Sequence, residues 1–150
     1  MTTTVVIDSC VFNKIYVDEP DRGNALAFLE YARSQKIALI APSLLLYEVL
    51  AVAARTPFGA PAAFELIQDF QNGGFELVEM DEKIIGQAIV IANRGHPKSG
   101  YPSLYDSTYH ALAMVRGGLF LTSDAKHVAK AASFGSVVAL RDWETVFPTR

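Results

Sequence analysis

Short apolar runs alternate along this chain with longer segments of helical periodicity. Five short runs are candidate strands: 5–7, 37–40, 75–78, 119–122 and 136–139. They are too short for helices, and the first, Val5-Val6-Ile7, has no polar position to turn toward solvent. Strands that are buried on both faces and alternate with helices are typical of a parallel sheet. The pattern therefore predicts an α/β fold, a three-layer sandwich around a short central parallel sheet.

The segments between these runs carry helical signals. Helices are predicted at about 21–32, 43–55, 62–71, 81–93, 105–115, 124–133 and 141–147. Asp124 stands where it can cap a helix, and Gly117 and Gly118 end the fifth of these segments. Two glycines and two prolines make 93–103 a loop. Without a repeat, linker or low-complexity tract, the chain 1–150 is interpreted as one domain.

The composition excludes several classes of protein. Hydrophobic residues are 51% and charged residues 19% of the chain, which is the balance of a globular domain and not of a disordered one. The most apolar stretch, 42–54, is too short to cross a bilayer. The Met-Thr-Thr-Thr start lacks the segments of a signal peptide, and the single Cys10 cannot form an internal disulfide. We therefore expect a cytoplasmic protein that does not enter membranes.

Four acidic residues stand beside segments predicted to be buried: Asp8, Glu48, Asp106 and Asp124. Three of them have local explanations, since Asp8 and Asp124 can cap helices and Asp106 suits the positive end of a helix dipole. Glu48 has none, because its neighbours at helical spacing are apolar and Arg55 lies two turns away. A buried glutamate requires a partner. Glu48 is therefore the acid that most strongly indicates a shared site.

A divalent cation would compensate all four carboxylates at once. Parallel sheets place sites at the carboxyl ends of their strands, where Asp8 and Asp124 both stand. Mg²⁺ prefers oxygen ligands, and two such ions held by shared carboxylates can activate water for phosphodiester cleavage. The net charge of -3 does not oppose a polyanionic substrate, because 13 basic residues face only 12 of the 16 acidic ones once these four hold metal. The pattern predicts a metal enzyme.

A phosphotransfer enzyme with Asp8 as its nucleophile is a competing class. Enzymes of the haloacid-dehalogenase type need a second aspartate two residues after the first, where this chain has Cys10. A response-regulator receiver needs paired acids near the first strand and a lysine at the end of a late strand. The chain has neither pattern, so both interpretations are disfavoured.

Four segments match, in order, the motifs of a known family. They are Val6-Ile7-Asp8-Ser9, residues 42–52 with Glu48, the helix start Tyr105-Asp106-Ser107-Thr108-Tyr109-His110-Ala111-Leu112-Ala113, and the strand end Leu121-Thr122-Ser123-Asp124. With these segments the chain resembles the PIN domain, and especially the small VapC-type ribonuclease toxins of prokaryotic toxin–antitoxin pairs. The last two segments are the most specific, and the resemblance covers nearly the whole chain.

The resemblance implies a function and a set of residues. The catalytic and metal-binding residues would be Asp8, Glu48, Asp106 and Asp124, with Thr122 and Ser9 in support. The implied activity is Mg²⁺- or Mn²⁺-dependent endoribonuclease cleavage of RNA. The implied partners are a cognate antitoxin and a second copy of the chain in a homodimer. An additional stretch at 55–75 leaves open a second interpretation, a non-toxin PIN protein that binds RNA with weak or no nuclease activity.

Four further residues are candidate RNA contacts: Lys98, Tyr101, His110 and Lys126. Lys98 and Tyr101 belong to a loop beside Asp106 that combines cations, glycine and an aromatic ring, which suits stacking on bases and pairing with phosphate. His110 follows Asp106 by one helical turn, and Lys126 closely follows the strand-end acid. An ordinary surface loop and a solvated helix start are the alternative interpretations.

Overall fold

The five predicted strands form one parallel sheet in the computed structural model, which describes residues 3–147. The strands are β1 (Thr4–Ile7), β2 (Ala38–Pro42), β3 (Glu76–Val78), β4 (Leu119–Thr122) and β5 (Val137–Ala139). Their order is β3-β2-β1-β4-β5, and all four pairings are parallel. The predicted α/β sandwich is confirmed. The ends of the predicted domain, 1–2 and 148–150, lie outside the described residues.

Each predicted helical segment is a helix in the structure. The helices are α1 (Ser9–Asn13), α2 (Arg22–Ser34), α3 (Leu44–Ala53), α4 (Ala60–Asn72), α5 (Glu82–Asn93), α6 (Leu104–Val115), α7 (Ala125–Ala131) and α8 (Trp143–Val146). The sequence pattern does not predict α1, because five residues are too few to show periodicity. The predicted helix 141–147 is shorter, since its start, Leu140–Asp142, is a 3-10 turn. Within residues 3–147, every helix is too short or too polar to span a membrane.

β1 lies at the centre of the sheet because its side chains are apolar on both faces. Val5, Val6 and Ile7 are fully buried, with β2 paired on one side and β4 on the other. A Cβ atom on Gly118 would lie 2.5 Å from the carbonyl oxygen of Thr4. Only glycine therefore allows the chain to enter β4 this close to β1.

Aromatic side chains form packing contacts between the helices around the sheet. Phe12 of α1 packs against Phe70 of α4 with ring centroids 5.1 Å apart, and against Phe75 at 6.4 Å. Phe28 of α2 meets Trp143 of α8 edge-on at 5.7 Å. These contacts hold α1 against α4 and α2 against α8.

The additional stretch at 55–75 is mostly helix α4. Gly59 has a φ of +84° and Pro61 stands in the first turn, so the chain turns sharply after α3 and starts a new helix. α4 packs along α3 and buries Ile67 completely. The stretch is therefore part of the same folded unit and supports the helix that carries Glu48.

Candidate active site

Three strands and one helix deliver side chains to a single edge of the sheet. β1, β2 and β4 are parallel neighbours, so their carboxyl ends lie together. Asp8 follows β1, helix α3 follows β2, and Asp124 follows β4. α6 precedes β4 and packs against the same three strands, so its first turn, with Asp106, returns to this edge. The topology thus makes neighbours of acids that are far apart in sequence.

Asp8 is buried directly after β1. The residue is only 4% exposed, and its backbone N–H donates to the Leu121 carbonyl at 3.0 Å. Thr122 Oγ1 donates to Asp8 Oδ2 at 2.6 Å, and Ser9 Oγ donates to Oδ1 at 3.4 Å. Burial raises the pKa of Asp8, and the Thr122 hydroxyl opposes the rise. Backbone N–H groups at the start of α1 also lower the pKa of Asp8. The Asp8 side chain makes no capping hydrogen bond to α1 among the described residues, so capping does not explain this buried acid.

Thr122 links Asp8 to Asp124. Its hydroxyl accepts the backbone N–H of Asp124 at 2.9 Å while it donates to Asp8. Asp124 Oδ1 in turn accepts the backbone N–H of Lys126 at 2.9 Å and that of His127 at 3.3 Å, so the predicted capping of this helix is confirmed. Both contacts use Oδ1, and capping therefore does not occupy Oδ2.

Glu48 projects from the second turn of α3 and is half-buried. The hydroxyl of Tyr109, on α6, donates a hydrogen bond to Glu48 Oε1. Burial raises the pKa of Glu48, the Tyr109 hydroxyl opposes the rise, and the charge of Asp8 adds to it. The partner that a buried glutamate requires is therefore a tyrosine on another helix.

Asp106 occupies the first turn of α6, one turn before Tyr109. Ser103 caps this helix, since its Oγ accepts the Asp106 N–H at 3.0 Å. Burial raises the pKa of Asp106 to about 6; the charges of Asp8, Asp124 and Glu48 add to the rise, and Ser103 opposes it. Every charged group that shifts this pKa is thus another acid.

We call Asp8, Glu48, Asp106 and Asp124 the acidic pocket, because the charges of the other three raise the pKa of Asp106 and the charge of Asp8 raises that of Glu48. Within residues 3–147, no three acidic, histidine or cysteine side chains converge as closely as the ligands of a preformed metal centre. The donors are all carboxylate oxygens, which suit a hard cation such as Mg²⁺ that keeps several waters and needs few direct protein ligands. The pocket therefore fits such an ion by its chemistry, and convergence of all four acids on one ion stays a prediction.

His110 lies in the core, which corrects the expectation that it contacts RNA. Its ring is fully buried, and Nε2 donates to the Gly135 carbonyl at 2.6 Å. Nδ1 must then accept from His127 Nε2 at 3.1 Å, which leaves His127 Nδ1 without a partner among the described residues. Burial lowers the pKa of both rings, that of His127 to about 4, so the pair is neutral near pH 7.

The other candidate RNA contacts lie at the surface. Lys98 and Tyr101 belong to the loop between α5 and α6, where His96 and Gly100 form an antiparallel bridge. His96 Nδ1 also accepts the backbone N–H of Lys98 at 3.1 Å, so the loop has a defined shape. Tyr101 is 68% exposed, and Lys126 is exposed in the first turn of α7. These three side chains are free to meet a ligand.

Tyr109 is a site residue that no sequence motif distinguishes from its helical neighbours. The available signal is its spacing, because a residue three positions after Asp106 lies on the same helix face. Its partner, Glu48, is 61 positions away. The contact therefore depends on how α3 and α6 pack, which periodicity does not reveal.

The fold and the acidic pocket define a class of protein: small α/β sandwiches with carboxylates at the carboxyl edge of a parallel sheet. The family model described as PIN domain matches residues 5–133. The chain therefore belongs to the PIN-domain family, as its motifs predict. No curated protein matches the sequence with significance.

Several solved structures share this fold at low sequence identity. A toxin–antitoxin complex from Klebsiella pneumoniae is 15% identical with a TM-score of 0.65, over 91% of this chain and 97% of that chain. VapC20 from Mycobacterium tuberculosis, described as a Sarcin-Ricin loop cleaving toxin, is 15% identical with a TM-score of 0.64, over 89% and 96%. FitAcB from Neisseria gonorrhoeae is 13% identical with a TM-score of 0.65, over 91% and 98%. At these identities the likeness shows the fold alone.

Proposed function

We propose that this protein is a Mg²⁺- or Mn²⁺-dependent endoribonuclease, and the toxin of a type II toxin–antitoxin pair. The observation that carries the proposal is the acidic pocket, in which burial and like charges raise the pKa of Asp106 to about 6. Such a group of acids is unfavourable alone and favourable around a cation. Membership of the PIN-domain family, and likeness to structures described as toxins, support the choice of reaction and of the toxin role.

All four acids of the acidic pocket would hold the metal. When bound, the ion lowers the pKa of water and stabilises charge on the phosphodiester oxygens. Thr122 orients Asp8 through the 2.6 Å hydrogen bond and ties it to the Asp124 backbone, so two of the acids keep a constant separation. Ser9 contacts the other oxygen of Asp8. Asp106 keeps its proton up to about pH 6, so cation binding below that pH displaces the proton.

The exposed loop between α5 and α6 would hold the RNA. Tyr101 offers a ring on which a base can stack, because most of its surface is exposed. Lys98 and Lys126 would pair with phosphates, and their exposed positions allow this. Two lysines supply only a modest attraction, so the cation in the acidic pocket would be needed to offset the net charge of -3.

The proposed partners are a cognate antitoxin and a second copy of the chain, in the cytoplasm. The outer face of α5 supports a protein partner, since Ile85, Ile89 and Val90 are 47%, 47% and 52% exposed. Light scattering of the purified protein, alone and with the product of an adjacent small gene, tests both partners. A monomer that binds no such product would remove this part of the proposal.

Cleavage of RNA by the purified protein tests the function. We expect cleavage that requires Mg²⁺ or Mn²⁺ and stops with a chelator. The cleavage rate should fall more than about 100-fold in Asp8→Asn and in Asp106→Asn, because losing even a group that only orients a metal ligand lowers affinity or activity roughly 10–100-fold. Glu65→Gln neutralises an exposed acid of α4 and is the matched control. Cleavage that survives either pocket variant would overturn the metal mechanism.

A second candidate function is an RNA-binding PIN protein with weak or no nuclease activity. The observation that favours it is the lack of a preformed array of metal ligands within residues 3–147. It predicts that the protein binds RNA equally well with and without divalent cations and cleaves little or none of it. Cation-dependent cleavage in the same assay decides between the two.

A further inference from the structure

Tyr109 is enclosed between α6 and β4. It is fully buried, and its ring stacks on Phe120 with centroids 5.7 Å apart and an interplanar angle of 22°. Phe120 lies two positions before Thr122 on β4, so the two side chains share one face of the sheet. One supports the Tyr109 ring and the other holds Asp8. The ring therefore keeps a constant position relative to Asp8.

The hydroxyl of Tyr109 crosses from α6 to α3 and donates to Glu48 Oε1. Burial raises the pKa of Tyr109, and hydrogen bonding to Glu48 raises it further, so the hydroxyl stays a proton donor at neutral pH. A hydrogen bond from a hydroxyl to a carboxylate is among the stronger kinds in proteins. Glutamate has large rotamer freedom, and this contact removes much of it. Through Tyr109 and Asp106, helix α6 thus controls two members of the acidic pocket.

We propose that Tyr109 is a positioning residue that holds Glu48 in the acidic pocket, with Oε1 occupied and Oε2 available to a divalent cation. The inference deepens the proposed metal-dependent function and rests on it. Tyr109 acts only through Glu48 and touches no reacting atom. Without the hydroxyl, Glu48 turns freely toward solvent, and the cation has to order it on binding. Groups that orient a metal ligand contribute roughly 10–100-fold in affinity, so we expect the hydroxyl to be worth about 10-fold.

The test is a calorimetric titration of the full chain with Mn²⁺, without RNA. Tyr109→Phe keeps the ring and its stacking and removes only the hydroxyl. The matched control is Tyr16→Phe, because the Tyr16 hydroxyl donates to Asn13 and to the Val49 carbonyl of α3 at 3.3 Å and touches no acid. We expect about 10-fold weaker Mn²⁺ binding in Tyr109→Phe and unchanged binding in Tyr16→Phe. Tyr109→Phe should add no further loss to Glu48→Gln, because both act on one contact.

A kinetic measurement separates positioning from catalysis. In Tyr109→Phe, the Mn²⁺ concentration for half-maximal RNA cleavage should rise about 10-fold, while the rate at saturating Mn²⁺ stays within about twofold. Circular dichroism establishes that each variant folds. If Tyr109→Phe does not fold, a Mn²⁺-soaked crystal of the unaltered protein replaces it, and Tyr109 should then still donate to Glu48 Oε1.

Each other outcome overturns the inference. Equal Mn²⁺ affinity in the unaltered protein and Tyr109→Phe, equal losses in the two tyrosine variants, or full additivity with Glu48→Gln would overturn it alone. A soaked crystal in which Glu48 has left Tyr109 would do the same. A protein that binds no Mn²⁺ at all would overturn the proposed function together with this inference.

Discussion

The molecule has two groups of buried or half-buried charged side chains, and their charges are arranged in opposite ways. In the acidic pocket, acids lie beside acids, and burial raises the pKa values of Asp8, Glu48 and Asp106. In the second group, which we call the Lys14 cluster, Lys14 has a side chain only 3% exposed, and its Nζ lies 3.0 Å from Asp21 and 3.4 Å from Glu19. Burial would lower the pKa of Lys14, but Asp21 and Glu19 outweigh it and the pKa is raised. In the Lys14 cluster a cation is paired with anions, whereas the acidic pocket brings like negative charges together.

The difference separates a structural role from a functional one. Arg22 completes the Lys14 cluster, since its guanidinium donates to the carbonyls of Lys14 at 2.8 Å and Ile15 at 2.9 Å. Every strong charge there has a partner, and the cluster ties α1 to α2. The acidic pocket has hydroxyl partners and, within residues 3–147, no cationic side chain paired with its acids, so the fold maintains it at a cost in stability. Such uncompensated groups mark sites at which a ligand is expected.

The largest expected effect comes from neutralising the acids of the Lys14 cluster. Glu19→Gln with Asp21→Asn leaves the buried ammonium without its anions, and the free energy of unfolding in urea should fall by about 3 kcal/mol. Glu30→Gln is the control, because its pair with Arg33 is exposed and should change stability by less than about 0.5 kcal/mol. An unchanged double variant would show that the cluster is not structural.

A smaller effect on stability is expected at the buried pair His110 and His127, whose rings are both neutral near pH 7. The pKa of His127 is lowered from 6.5 to about 4, so the folded state resists protonation. The contribution of the neutral His127 ring to the free energy of unfolding is complete above pH 6.5. It falls by about 2 kcal/mol as the pH drops toward 4. His127→Gln should therefore flatten the decline in unfolding free energy between pH 6.5 and 4.5. A parallel decline in the two proteins would contradict this assignment.

Neutralising an acid of the pocket should raise the free energy of unfolding, whereas neutralising the acids of the Lys14 cluster should lower it. The pKa of Asp106 is raised from 3.8 to about 6, so its contribution to stability is complete below pH 3.8 and is lost as the pH rises through 6. Asp106→Asn removes that loss. One pKa unit corresponds to about 1.4 kcal/mol, and partial exposure of the side chain reduces the gain, so we expect stabilisation of about 1 kcal/mol at pH 7.5.

Metal-free thermal unfolding of both proteins at pH 4 and pH 7.5 checks this prediction. The melting temperature of Asp106→Asn should exceed that of the unaltered protein at pH 7.5 by a few degrees and match it at pH 4. A lower melting temperature at pH 7.5 would mean that Asp106 is compensated like the Lys14 cluster. The contrast between the two regions would then fail.

The sequence predicts where the acids of the acidic pocket stand on their strands and helices, because those positions depend only on neighbouring residues in the chain. An apolar strand followed by an acid places Asp8 and Asp124 at the edge of a parallel sheet without any knowledge of packing. The lack of a polar face on α3 also indicates that Glu48 needs a partner. These inferences depend on neighbours within one or two turns, which is the range over which periodicity carries information.

The partners themselves depend on contacts between distant segments. Tyr109 meets Glu48 across 61 positions, and His110 meets His127 across 17, so neither pair follows from local pattern. Helical spacing puts His110 near Asp106 and so predicts an RNA contact, but spacing does not show how deeply a residue is buried. Only the packing of α6 on the sheet places this ring in the core.

The smallest expected effect tests whether the loop between α5 and α6 belongs functionally to the acidic pocket. A Cβ atom on Gly95 would lie 3.0 Å from the Tyr101 ring, so Gly95→Ala displaces that ring without removing it. Stacking of a base on an aromatic ring is worth roughly 1–3 kcal/mol, and losing part of it should raise the KM for RNA about threefold with kcat unchanged. Gly86→Ala is the control, because Gly86 is an exposed position of α5 with no atom within 4 Å of the added Cβ. Equal KM values in the two variants would show that Tyr101 does not hold RNA, and the loop would then be a surface element separate from the pocket.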